Sequence, residues 1–192
     1  IEGNSKDSLL VFTAHYDHLG MMGRETMFPG ANDNASGVTM LLNLIRHFSK
    51  TSPRYTIVFI AFAAEEIGLI GSSYFTTHPT FPLTKIKFLI NFDLAGTGDD
   101  GIQIVNGKTY QQRFGEMLKI NEAHQLLKEI KSRGEACNSD HCMFHSKGVP
   151  CFYIYTLGGI KAYHDIYDKA DTLPLTDYQD YFSLIVKFIE TL

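Results

Sequence analysis

With 192 residues, 44% of them hydrophobic and 20% charged, the chain has an ordinary globular composition that suits one domain over 1–192 and excludes a disordered or fibrous protein. Seventeen Lys and Arg against 21 Asp and Glu give a formal charge of -4, so there is no basic footprint for nucleic acid. The longest apolar runs, such as YTIVFIAFAA from Tyr55, are about half of the roughly 20 residues that a membrane helix needs, which argues against a transmembrane segment.

In chain order, Ile1 to Lys6 shows neither the basic start nor the apolar run of a signal peptide. Residues 8–14 then read as a buried strand. Tyr16 to Asn34 is a long irregular stretch carrying Gly20, Gly23, Pro29 and Gly30, and loops of that length in compact domains are usually functional. Val38, Leu41, Leu42, Ile45 and Phe48 follow at helical spacing, the stripe of an amphipathic helix that starts near Ala35. Residues 55–63 and 86–92 are further strands, with a short helix after Gly68 between them. A short strand is expected at 101–105, a helix from about Tyr110 to Ala123, and a strand at 150–155. A last helix, Thr176 to Leu192, has Tyr178, Phe182, Ile185, Val186 and Ile189 as its stripe. Strands alternating with helices predict a layered α/β domain.

Five potential metal ligands stand at or just beyond strand ends, where open α/β sheets build their sites: His15, Asp33, Glu66, Asp93 and His164. Imidazole nitrogen and carboxylate oxygen both suit zinc, and two-metal hydrolases share a ligand between ions roughly 3.5–4 Å apart. Three acidic ligands and one hydroxide balance two zinc ions. Glu65 is then left over beside a ligand, able to reach a metal-bound water and act as general base. Asp17, two residues after His15, is placed to accept that histidine's other ring N–H and fix its tautomer.

Taken singly, each residue has a plainer explanation. Glu65 and Glu66 could be the acidic first turn of a helix, Asp93 could cap a turn, and His164 with Asp165 and Asp168 could be solvated loop; their order along the chain overturns these. His47, His78, His124 and His145 read as surface or core histidines, whereas His18 lies in the mouth loop and could contact substrate. Tyr153, Tyr155 and Tyr163 are pocket candidates. Cys137 and Cys142 are close enough to pair, and as a zinc finger they lack a fourth ligand.

The motifs H-Y-D, G-A-N-D-N-A-S-G, A-E-E-x-G-L-x-G-S, N-x-D, S-D-H and Y-H-x-x-x-D closely resemble those of the M28 family of zinc exopeptidases, over roughly His15 to Thr172. The resemblance implies a single-domain α/β/α sandwich on a mixed, mostly parallel sheet, and two zinc ions per chain. One zinc would be held by His15 and Asp93, the other by Glu66 and His164, with Asp33 bridging and Glu65 as general base. It also implies a cis Asp33–Asn34 peptide and places Ser139, Asp140 and His141 near the pocket. The activity implied is aminopeptidase hydrolysis of peptides, with a metal-bridging water activated by Glu65. A single-zinc glutaminyl cyclase, a carboxypeptidase and a non-catalytic binding domain are the alternatives. Bacterial relatives with this opening motif are commonly exported, which implies a periplasmic or secreted protein.

Overall fold

Hydrophobic runs and amphipathic stripes become a layered structure in the computed structural model, which describes residues 1–192. The first strand, β1 (Ser5–His15), is followed by a hairpin of β2 (Gly20–Met22) and β3 (Thr26–Phe28), and then by helix α1 (Ser36–Phe48). Next come β4 (Tyr55–Phe62), α2 (Ile70–Thr77), β5 (Ile86–Phe92), β6 (Ile102–Val105) and α3 (Gln111–His124). The chain ends with β7 (Ile130–Ser132), α4 (His141–His145), β8 (Cys151–Thr156) and α5 (Tyr178–Thr191).

Six strands form one sheet in the order β4-β1-β5-β8-β6-β7, and every neighbouring pair is parallel except β6 with β8. Successive side chains of β1 point to opposite faces. Leu10, Phe12 and Ala14 pack with Met40 and Leu44 of α1 and with Leu184 and Phe188 of α5. Leu9 and Val11 face the other way, toward Leu89, Phe144 and Val149. Helices therefore cover both faces, and the sheet is the middle layer of the expected mixed α/β/α arrangement.

The order also positions the site. From β1 the chain crosses to β4 on one side, and β5 then returns to pair on the other side of β1. Connections diverging from one strand leave a crevice beyond its carboxyl end, the usual ligand site of an open α/β sheet. His15 is the last residue of β1 and Asp93 directly follows β5, so both open into that crevice.

Three details differ from the sequence reading. Leu42 is 61% exposed, and the buried side of α1 instead runs through Met40, Leu41, Leu44 and Phe48. The stretch from Tyr16 to Asn34 contains the β2–β3 hairpin, and both β7 and α4 are additional elements. No helix is long and apolar enough to cross a membrane.

Candidate dinuclear metal centre

The G-A-N-D-N-A-S-G segment is stitched to the chain that follows β5. Asn34 donates from Nδ2 to the Phe92 carbonyl (3.0 Å), while its Oδ1 accepts the amides of Gly37 (3.0 Å) and Leu94 (3.3 Å). Asn32 Oδ1 accepts the Gly96 amide at 2.8 Å, and Ser36 Oγ accepts that of Ala95 at 2.7 Å. A side chain at Gly37 would run into Asn34 Oδ1 and the Phe92 carbonyl, so only glycine permits this approach. The Asp33–Asn34 peptide is cis, as the family resemblance implied. These bonds carry Asp33, which is 3% exposed, to the mouth of the crevice beside Asp93.

Two clusters meet there. His15 Nε2 lies 3.3 Å from Asp33 Oδ1 and 3.4 Å from Asp93 Oδ1. His164 Nε2 lies 3.2 Å from Asp33 Oδ2 and 3.1 Å from Glu66 Oε2. All five expected ligands thus converge, with one oxygen of Asp33 turned to each histidine. These separations exceed the roughly 2.7–2.9 Å of a charge-assisted hydrogen bond. They match instead the edge of a tetrahedron, about 1.6 times a zinc bond of 2.0–2.2 Å, or about 3.3 Å. His15, Asp33 and Asp93 therefore form a group that could hold a divalent cation, with Glu66 and His164 at similar spacing on the other side of Asp33.

His18, Asp33 and Glu66 form another close trio. His18 Nδ1 is 2.8 Å from Glu66 Oε1 but 4.0 Å from Asp33, a hydrogen-bond length to one carboxylate and no ligand spacing to the other. The ring lies edge-on to His164, and its contact at 2.8 Å orients Glu66.

Each remaining ligand also has its strut. His15 Nδ1 is 3.1 Å from the Asp17 main-chain carbonyl and 3.7 Å from the Asp17 carboxylate. The carbonyl therefore fixes the tautomer, a task the sequence reading gave to the side chain. The Asp17 carboxylate instead accepts the amides of Glu65 (3.2 Å) and Glu66 (3.3 Å), drawing the loop after β4 onto the end of β1. Asp168, 2% exposed, accepts the amides of Asn32 (2.7 Å) and Asp33 (2.9 Å) and so ties the His164 loop to the shared carboxylate. Asp93 Oδ2 accepts from Ser139 Oγ at 2.8 Å. Behind it Asn91 donates to Ser139 (2.7 Å) and Thr13 donates to Asn91 (2.6 Å), a buried chain across the sheet. Sequence motifs located Ser139 and Asp168, but neither showed which atom it would hold.

Charge is concentrated here. Burial pushes the Glu65 carboxyl up to about 8, against the attraction of His15 and with Asp93, Asp140 and Glu66 adding to the rise. For His15 burial opposes the cation, yet the neighbouring carboxylates of Asp33 and Asp93 prevail and raise it to about 11. Burial likewise raises Asp140 to about 6; its oxygens have no hydrogen-bond partner, since the nearby Ser72 hydroxyl donates to the Leu69 carbonyl. Such crowding of carboxylates is what a cation would relieve.

The cavity above the two clusters has a volume of about 290 Å³, at the small end for ligand pockets and suited to a chain end. Glu65 and the tyrosines Tyr153, Tyr155 and Tyr163 line it, as expected of all four. Cys137 and Cys142 are joined in a disulfide beside Ser139.

The profile of Peptidase family M28 matches residues 1–189. Aminopeptidase YwaD of Bacillus subtilis (strain 168) is 31% identical over 144 residues, 73% of this chain and 30% of that protein. The zinc aminopeptidase BSAP from Bacillus subtilis superposes with a TM-score of 0.83 at 24% identity, over 100% of this chain and 48% of that one. Porphyromonas gingivalis glutaminyl cyclase superposes with a TM-score of 0.81 at 18% identity, over 96% of this chain and 72% of that one, and so shares the fold. The chain spans less than half the length of both Bacillus proteins. From the match over nearly its full length, the chain belongs to peptidase family M28.

Proposed function

We propose that this chain is the catalytic part of a dizinc aminopeptidase that removes N-terminal residues from peptides. The observation that carries the reading is the pair of clusters sharing Asp33: His15 with Asp93 on one side, Glu66 with His164 on the other. When bound, the zinc ions would supply Lewis acidity to the scissile carbonyl and lower the pKa of water.

The chain's own residues do the rest. Glu65 lines the cavity beside Glu66 and is not needed in either cluster, so its carboxylate can take a proton from water and return it to the leaving amine. Burial first, and then Asp33 and Asp93, push the Tyr163 hydroxyl up to about 12. It stays protonated and can donate to the carbonyl oxygen of substrate, its ring stacked on His164 at 4.0 Å. The small cavity suits a chain terminus better than an internal peptide segment.

Changing Glu65 to Gln tests the assignment, because it removes the base while keeping size and hydrogen bonding. In an aminoacyl chromogenic assay, E65Q should lose roughly 10²–10⁴-fold in kcat with its metal content unchanged. Full activity in E65Q would remove Glu65 from the mechanism, and chelator-insensitive turnover would remove the metal. A glutaminyl-cyclase reaction is the competing outcome, recognised by cyclisation of a Gln-peptide with one metal per chain. The Cys137–Cys142 disulfide supports export to an oxidising compartment, checked by fractionating the native host.

A further inference from the structure

Arg133 stands on the wall of the catalytic cavity, opposite in charge to the four carboxylates that share it, and is the one Lys or Arg lining that space. It follows directly on β7, and its backbone is tied on both sides. The Arg133 amide donates to the Ile104 carbonyl at 2.8 Å, and its carbonyl accepts the Lys108 amide at 3.2 Å. Just beyond, the Gly134 carbonyl accepts the Asn106 amide (3.3 Å), His141 Nε2 contacts the Ala136 carbonyl (2.9 Å), and the disulfide closes the segment at Cys137. Arg133 thus lines the cavity from an anchored stretch of chain.

It is also without a partner. Lys85, Arg113, Lys128 and Lys131 each reach an acidic side chain, whereas no carboxylate of the protein lies within salt-bridge reach of Arg133. Two divalent cations would offset the lining carboxylates, and the guanidinium has no carboxylate of the protein to pair with. A planar fork of donors in that position matches a carboxylate.

We propose that Arg133 binds a substrate carboxylate, so that the preferred peptides carry a carboxylate on a residue flanking the scissile bond. The inference rests on the aminopeptidase reading above. That carboxylate has two sources, the side chain of an N-terminal Asp or Glu, or the terminal carboxylate of a dipeptide.

Two matched pairs separate them: Glu- against Gln-aminomethylcoumarin, and the dipeptide Leu-Gly against its amide. The wild type should favour the charged member of one pair, which identifies the source. R133A should lower that charged-over-neutral ratio of kcat/KM by roughly tenfold or more, chiefly through KM, with partial recovery in R133K. No preference in either pair, or a ratio unchanged in R133A, overturns the proposal. Should the wild type turn over neither pair, the hydrolase reading fails and the carboxylate site is read by calorimetry instead. There, metal-loaded E65Q should bind the charged member of one pair more tightly and E65Q/R133A should not; equal affinities in E65Q overturn the site.

Discussion

Glu66 shows how much of this centre depends on residues that are not ligands. One of its oxygens is turned to His164, and the other is held by His18 at 2.8 Å, a ring packed so closely on Gly30 that a side chain there would strike it. Partners of this kind commonly set metal affinity by 10–100-fold. His18→Ala should therefore weaken the second metal by roughly that factor while sparing the first, read as two separated steps in a calorimetric titration. Equal weakening of both steps, or of neither, would show that Glu66 does not depend on His18. The convergence of the five candidate ligands was legible in the sequence because each follows or precedes a recognisable element within a specific motif. Their supports were not. Asp17 was correctly placed near His15, but nothing in local spacing distinguishes a carbonyl at 3.1 Å from a carboxylate at 3.7 Å. The contact between His18 and Glu66 was not legible because the two lie 48 residues apart in the chain.

At the scale of elements, the centre is assembled where loops are clamped to strand ends. Asp168→Ala would strip the Asn32 and Asp33 amides of their acceptor, at a cost of about 1–3 kcal/mol for each buried group left unpaired. Urea unfolding should show that loss together with weaker metal binding, whereas unchanged stability would mean that the loop is held elsewhere. Gly37→Ala tests the other clamp, since the added methyl meets Asn34 and the Phe92 carbonyl; it should lower the melting temperature more than an alanine at the unobstructed Gly115. The strands were readable because parallel strands buried on both faces are continuous apolar runs, and β5 has the expected ends. Helix faces were less readable. Alternative stripes differ by one position in α1, and the sheet selected Met40 and Leu44 over Leu42. The three-residue strand β7 and five-residue α4 are too short to leave a period, and each is defined by tertiary pairing.

Across the whole molecule, proton and metal binding are linked. Glu65 at about 8 and His15 at about 11 both hold protons more firmly folded than unfolded. Their stabilising contribution is complete below the unfolded values of 4.5 and 6.5 and is lost as pH rises through the folded ones. His141, held down to about 4 by burial, acts in the opposite sense, but its window closes by its unfolded value of 6.5; Asp140, at about 6, has largely titrated by then. Metal-stripped protein should therefore melt at a lower temperature at about pH 8.5 than at about pH 6.5. Zinc should raise the melting temperature and flatten that dependence, because cations replace the protons. A stripped protein that grows more stable over this interval would contradict the crowding of carboxylates. The most direct measurement is the metal content of the purified chain and of its Asp33→Ala variant by mass spectrometry. The shared carboxylate predicts two zinc ions per wild-type chain and loss of both from the variant; one ion in the wild type, or two retained without Asp33, would contradict a dinuclear centre.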